Sequence, residues 1–447
     1  MRKISLAVLL TLLCGLTTAL EKQPLAVYHA RRQALARAAN APVLMFAEVE
    51  KSESLYGFRQ GNDFYYLTGW TEPGAALLLL PASEATAQET GHAYGEILFV
   101  PARNKIREFY IGPRLTPTDP NAAHITGVDK VESLDQLRDE LAALLPRGEL
   151  PGPTPKLYTN RPDGSEDSPS TLPMAWLRRA NAFGRVSVAD VTPLLVRMRM
   201  VKDEGEMALI RKAISASNAA HLAAMKGVKP QVNEREISAL MQYEFGKRGC
   251  ERPAYAPIVG SGPNSTKLHY EADDRTMEAG DTVVMDVGGE YSMYAADITR
   301  TLPVDGRFTA RQREIYEIVL GSQRAAEAAF VAGKSRLTGM SAESLFRVAY
   351  EYMNAHGKDL HGQPLGKYFV HGLGHHVGLE VHDPGDYSLP LDKGNVFTLE
   401  PGIYIPEENL GVRIEDMYWV DESGKLVKLT AELPSGLEEV EKIMAGR

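Results

Sequence analysis

The stretch His371-Gly-Leu-Gly-His-His-Val-Gly-Leu-Glu-Val-His-Asp383 holds four of the chain's 11 histidines. Gly372, Gly374 and Gly378 are interleaved with them. Imidazole is a common metal ligand, and glycine lets a backbone come close to a bound group. The stretch therefore reads as one wall of a metal-dependent active site. Taken alone, it leaves open how many of its histidines hold metal. The acidic residues elsewhere in the chain bear on that count.

Val283-Val-Met-Asp-Val-Gly-Gly289 reads as a buried strand carrying Asp286. A carboxylate among Val and Met is costly to bury without a cation or several hydrogen bonds. Eleven residues later, Ala295-Ala-Asp-Ile-Thr299 repeats the pattern with Asp297. Gly288–Ser292 supplies a turn, so the two segments pair as a hairpin and share a surface. One such aspartate is more simply a turn cap or the partner of an arginine such as Arg300; two in succession point to metal. Phe397-Thr-Leu-Glu-Pro-Gly-Ile-Tyr404 places Glu400 in an apolar strand, and Gly411-Val-Arg-Ile-Glu-Asp416 places Glu415 in another. Four carboxylates and one imidazole suit a pair of divalent ions. Spacing alone does not choose among Mn²⁺, Co²⁺, Fe²⁺ and Zn²⁺.

Around this set, 447 residues allow two domains of ordinary size. A 44% hydrophobic and 24% charged composition is that of a folded globular chain. The net charge of -9 argues against nucleic acid or an anionic membrane as the main partner. Arg2 and Lys3, the apolar run Ile4–Leu16 and the small residues to Ala19 have the layout of a signal peptide over 1–19. The run is shorter than the ~20 residues of a spanning helix. An exported protein, periplasmic or secreted, with no stable membrane span is expected. An uncleaved anchor and lipidation at Cys14 are the alternatives. Cleavage leaves Cys250 alone, which excludes an intrachain disulfide.

Residues 20–192 alternate helix and strand signals and predict an α/β domain with a mostly parallel or mixed sheet. Helices are expected at Tyr28–Asn40 and Val131–Leu145. Strands are expected at Pro42–Ala47, Asp63–Trp70, Ala76–Leu80 and Glu96–Val100, and an irregular loop at Leu150–Pro173. Residues 193–447 form the second domain. Its helices are expected near 203–225, 233–248, 310–331 and 341–356, and its strands near 255–260, 282–288, 293–299, 397–404 and 412–420. The fold class is α+β.

The ordered set of Asp286, Asp297, His-Gly-Leu-Gly-His with Val-His-Asp, Thr-Leu-Glu-Pro-Gly and Val-Arg-Ile-Glu-Asp resembles the pita-bread-fold dinuclear metallopeptidases. Within them it is similar to the aminopeptidase P and prolidase branch. Arg59-Gln-Gly-Asn-Asp-Phe-Tyr-Tyr-Leu-Thr-Gly-Trp70 is similar to that branch's amino-terminal signature, and methionine aminopeptidases lack that domain. The resemblance implies two divalent ions per subunit, Mn²⁺ first among the candidates. Asp286 and Asp297 would hold one ion, His375 and Glu400 the other, and Glu415 would bridge. It implies a metal-bridging hydroxide as nucleophile, with Glu400 as proton shuttle. His371 and His382 would contact substrate and stabilise the tetrahedral intermediate, and His269 would be a further substrate-side histidine. Arg413 would stand beside the bridging glutamate among the substrate-side groups. His376 matches no functional position and reads as packing, and Tyr387 and Tyr404 read as pocket or core.

The implied reaction is release of the first residue from peptides with proline second. A prolidase confined to Xaa-Pro dipeptides uses the same chemistry and differs in the space beyond proline. Some pita-bread proteins lack the metal ligands and act as binding modules, and creatinases work without metal; the complete five-residue set separates this chain from both. A homo-oligomer, dimer or tetramer, is also implied.

Overall fold

The computed structural model describes residues 20–50, 55–81, 88, 91–144, 155–160 and 185–446. The expected signal peptide at 1–19 lies outside them. Among the described residues, no helix is long and apolar enough to cross a membrane.

The amino-terminal half is built on six strands: β1 (Val43–Phe46), β2 (Ala76–Pro81), β3 (Tyr94–Val100), β4 (Lys130–Ser133), β5 (Lys156–Thr159) and β6 (Ser187–Asp190). They form one sheet in the order β4-β3-β2-β1-β5-β6. The β1–β2 and β2–β3 pairs are antiparallel, and the three outer pairs are parallel. The central strands are apolar on both faces because both faces are covered. Leu44, Phe46, Ala76 and Leu78 pack on one side with Leu137 and Leu141. Val43, Met45, Leu77 and Leu79 join the main core on the other.

Three expectations for this half change. Asp63–Trp70 is not a strand, because Asn62–Thr68 is a helix that buries Phe64 through Thr68. Gly61 and Gly69 punctuate it, and Gly69 ends it at φ 61°. Tertiary burial here overrides the strand preference of three aromatic residues. Val131–Leu145 opens as β4, and its helix begins only at Leu137. Lys156–Thr159, inside the expected loop, pairs as β5 between β1 and β6. The remainder of that loop, beyond 155–160, lies outside the described residues.

In the carboxy-terminal half the expected helices occur at Glu204–Gly227, Glu234–Lys247, Ala310–Ala329 and Leu345–His356. A further helix, Thr192–Met200, precedes them. The first of the four starts at Asp203, whose side chain caps Glu206 N–H while the Glu206 side chain returns to Asp203 N–H. The strands are β7 (Arg252–Pro253), β8 (Ile258–Ser261), β9 (Thr282–Asp286), β10 (Gly289–Tyr291), β11 (Tyr294–Ala295), β12 (Thr299–Pro303), β13 (Val396–Leu399), β14 (Gly402–Ile405), β15 (Leu410–Arg413), β16 (Asp416–Val420) and β17 (Leu426–Lys428). Three expected strands are each split in two: 293–299, 397–404 and 412–420. The splits fall at Asp297, at Glu400-Pro401 and at Ile414-Glu415.

Candidate metal centre

Those splits build the site. One hairpin runs as the β9–β12 ladder, ending at Asp286 opposite Thr299, and resumes as β10–β11 with Glu290 opposite Ala295. Asp297 stands in the gap. The second hairpin runs as β13–β16, ending at Leu399 opposite Asp416, and resumes as β14–β15 with Gly402 opposite Arg413. Glu400 and Glu415 stand in that gap, where Pro401 supplies no N–H to a ladder. An isolated bridge between Thr299 and Glu415 joins the two hairpins at their gaps. Three of the four carboxylates thus stand where a backbone ladder is interrupted, and Asp286 is the last paired residue before such a gap.

Glycine closes the fourth side. A Cβ at Gly374 would fall on the carbonyl oxygen of Thr398 in β13, and one at Gly288 on that of Ala296. His375 N–H donates to Thr398 Oγ1 at 3.2 Å, and Thr398 N–H donates to the His375 carbonyl at 2.9 Å. The histidine stretch is therefore laid directly against the strand that leads to Glu400.

Asp286, Asp297 and Glu415 offer ligand atoms within 4.8 Å of one another, and so do His375, Glu400 and Glu415. The two groups share Glu415. A third group joins Asp297, His375 and His382. His375 Nε2 is 3.2 Å from Asp297 and 3.6 Å from Glu400. These residues line a cavity of about 340 Å³ together with His269, His371, His382, Tyr387 and Arg413.

Burial pushes Asp286 above the usual carboxylate range, against the pull of Arg413. Burial together with Asp297 and Glu400 holds Glu415 well above it. Burial pushes Glu400 up to about 7. Burial alone would lower His375, but the hydrogen bond and charge of Asp297 outweigh it and lift the ring to about 9. The environment thus favours positive charge and disfavours more negative charge. Within the ligand set four carboxylates face one imidazole, and Arg413 is the one guanidinium beside them, a balance that suits added divalent cations.

Arg413, 3% exposed, commits all three nitrogens to protein. Nη2 donates to Asp286 at 2.7 Å, Nη1 to the Tyr404 hydroxyl at 2.8 Å and Nε to Thr299 at 3.2 Å. It therefore acts on the cavity through Asp286 and Tyr404. Because that hydroxyl accepts from Arg413, its own hydrogen is directed to His371 Nε2 at 2.9 Å. His371 Nδ1 then faces the Gly372 carbonyl at 2.8 Å. Burial, with Arg413 nearby, pulls His371 down to about 4. His269 and His382 are exposed at the cavity. His376 is buried against Tyr387, with ring centroids 5.5 Å apart.

Tyr255 is the residue that sequence reasoning missed. Its hydroxyl lies 2.7 Å from Asp286 and 2.6 Å from Asp297. One hydroxyl has one proton, so it donates to these two carboxylates in alternation, and burial beside them raises its pKa well above 10. Nothing in the sequence around it signals this, because the register that sets Ile258, three residues on, opposite Asp286 exists only in the fold.

A larger cavity, about 470 Å³, lies in the amino-terminal half. Size alone would favour it. Its charges are already paired, however: Arg107 with Glu50 and Arg103 with Glu108. The chemistry belongs to the smaller cavity, where charge is out of balance.

A mixed-sheet domain followed by a domain with this acid-rich cavity defines a metallohydrolase. Residues 208–422 match the model of metallopeptidase family M24, and residues 28–150 that of the aminopeptidase P N-terminal domain. The Xaa-Pro aminopeptidase of Haemophilus influenzae is 33% identical over 430 residues, 91% of this chain and 93% of the relative. Proline aminopeptidase P II from Yersinia pestis superposes with a TM-score of 0.81 at 30% identity, covering 95% of this chain and 100% of that one. A zinc-substituted Escherichia coli aminopeptidase P in complex with product gives a TM-score of 0.81 at 31% identity, covering 95% and 99%. The chain belongs to the Xaa-Pro aminopeptidase branch of metallopeptidase family M24 and is an enzyme of that type. Its α+β architecture is the amino-terminal domain of that branch followed by a pita-bread domain that takes divalent metal ions.

Proposed function

We propose that the enzyme removes the first residue from peptides with proline second, using two Mn²⁺ ions held by Asp286, Asp297, His375, Glu400 and Glu415. The observation that carries this is the buried surplus of carboxylate charge around an accessible cavity. When bound, the ions supply Lewis acidity and lower the pKa of water. Glu400 takes a proton from the attacking water and returns it to the proline nitrogen. Tyr255 and Arg413 hold Asp286 from opposite sides, on Oδ1 and Oδ2. His382 and His269 meet the peptide carbonyl from the exposed side. His371 does so on giving up its Tyr404 contact. The reading divides the chain at residue 192 and places the mature enzyme outside the cytoplasm after loss of 1–19. Copies of the chain associate through the helix Lys105–Ile111, where Phe109 is 88% exposed and Tyr110 79%.

The test is to offer Xaa-Pro and Xaa-Pro-Yaa peptides in parallel with Mn²⁺, Co²⁺ and Zn²⁺. Release of the first residue from the tripeptide is expected. Cleavage of the dipeptide alone would make the enzyme a prolidase. No metal uptake and no cleavage would leave a binding module.

A further inference from the structure

His382 reaches the cavity from Gly378–Asp383, a segment in neither helix nor strand. Its ring meets His375 edge-on at 4.2 Å and, among the described residues, hydrogen-bonds to no protein group. The position of this side chain is therefore set by its backbone and by that ring contact.

The segment is tied down on both sides of His382, directly by the amino-terminal half before it and through Arg199 after it. Before it, Arg59 Nη2 donates to the Leu379 carbonyl at 2.7 Å, and Asn62 Nδ2 donates to Glu380 at 3.1 Å. Arg59 is itself fixed by Glu290, at 3.0 and 2.8 Å from Nε, and by Asn62 Oδ1 at 2.7 Å. After it, buried Asp383 accepts from Arg199 at 2.5 Å and from Lys202 at 2.9 Å. The other arm of Arg199 donates to Asp63 at 2.7 Å. Arg59, Asn62 and Asp63 are thus one short stretch reaching both ends of the segment.

We propose that Arg59, Asn62 and Asp63 are positioning residues for His382, so that the amino-terminal half completes the active site of its own chain. This rests on the reading of His382 as a group that touches substrate. An interdomain contact meant only to join the halves has no need to straddle an active-site histidine. Misplacement of a reacting group by about 1 Å costs on the order of 100-fold in rate.

The test is a double-mutant cycle with Arg59→Ala and His382→Ala, reading kcat, KM and bound Mn²⁺ on an Xaa-Pro-Yaa peptide. Arg59→Ala is expected to lower kcat by roughly 10- to 100-fold with metal content unchanged. In the His382→Ala background the same change should cost less than about twofold, because the two act as one unit. Equal losses in both backgrounds would reduce Arg59 to a structural role and overturn the proposal, as would an unchanged rate for Arg59→Ala alone. Should Arg59→Ala fail to fold, Asn62→Ala runs the same cycle. It removes the Glu380 tie and the oxygen that holds Arg59, and its loss must likewise vanish without His382. If His382→Ala alone keeps the wild-type rate, the reading of His382 falls and takes the positioning role with it.

Discussion

Two groups of buried carboxylates lie close together and behave in opposite ways. In the cavity, burial holds Asp286, Glu400 and Glu415 above the usual carboxylate range, with Arg413 the one nearby guanidinium. At the domain junction, burial also pushes Asp383 up, but Lys202 and Arg199 overcome it and hold the carboxyl low. Asp416 is held low in the same way by Arg300 and Lys428. Both kinds of site are acidic and largely buried, so burial alone does not distinguish function from structure. Charge compensation does: where cations match the carboxylates the cluster is a fastener, and where they fall short the cluster is a receptor for cations.

Four experiments bear on this contrast. The largest expected effect is on activity. Glu400→Ala should lower kcat by at least ~10³-fold, within the range of a lost acid–base group and ligand. A variant retaining most of the rate would remove Glu400 from its role. Next is stability at the fastener. Asp383→Asn leaves Lys202 and Arg199 with a neutral partner and should cost about 3–5 kcal/mol in denaturant unfolding. Glu415→Gln in metal-free protein should cost nothing or stabilise, and similar losses at both positions would erase the distinction. Third, Mn²⁺ at about 100 times its Kd should stabilise chelator-treated enzyme by ~2.7 kcal/mol for each ion bound, and Asp297→Asn should shrink that gain. The last test concerns a group in neither cluster and reads only a change of slope. His221 Nε2 lies 3.0 Å from the Val287 carbonyl, and burial, with Arg300 nearby, pushes its pKa down to about 3. A folded pKa below the unfolded 6.5 adds stability above pH 6.5 and loses it as pH falls toward 3. The slope is ~1.4 kcal/mol per pH unit. Asp383 and Asp416 also weaken the fold in acid, so the effect is read as a difference. His221→Gln should flatten the dependence between pH 6.5 and 4.

The site was more legible in the sequence than the backbone that carries it. Asp286, Asp297, Glu400 and Glu415 were visible because each interrupts an apolar run, and that incongruity survives without coordinates. The interruptions themselves were not visible. A split in a ladder depends on which strand lies opposite, and the local run around Glu415 reads as continuous. Tyr255 was silent for a related reason, since its partners lie 31 and 42 residues away and nothing in its neighbourhood marks it. The helix Asn62–Thr68 was missed although its glycine boundaries were in view. Phe64, Tyr65 and Tyr66 favour a strand locally, and only the core they enter reverses that. The same helix carries Asn62 and Asp63 to the His382 segment, so the error concealed a functional contact as well as an element.

The contact between Gly374 and β13 also limits how this active site can vary. Any residue with a Cβ at 374 would displace Thr398, and Thr398 is two residues from Glu400 along the same chain. A change at 374 would thus be transmitted as a shift of a catalytic carboxylate on the facing strand. Position 374 is therefore closed to any side chain for as long as Glu400 keeps its place on the facing strand.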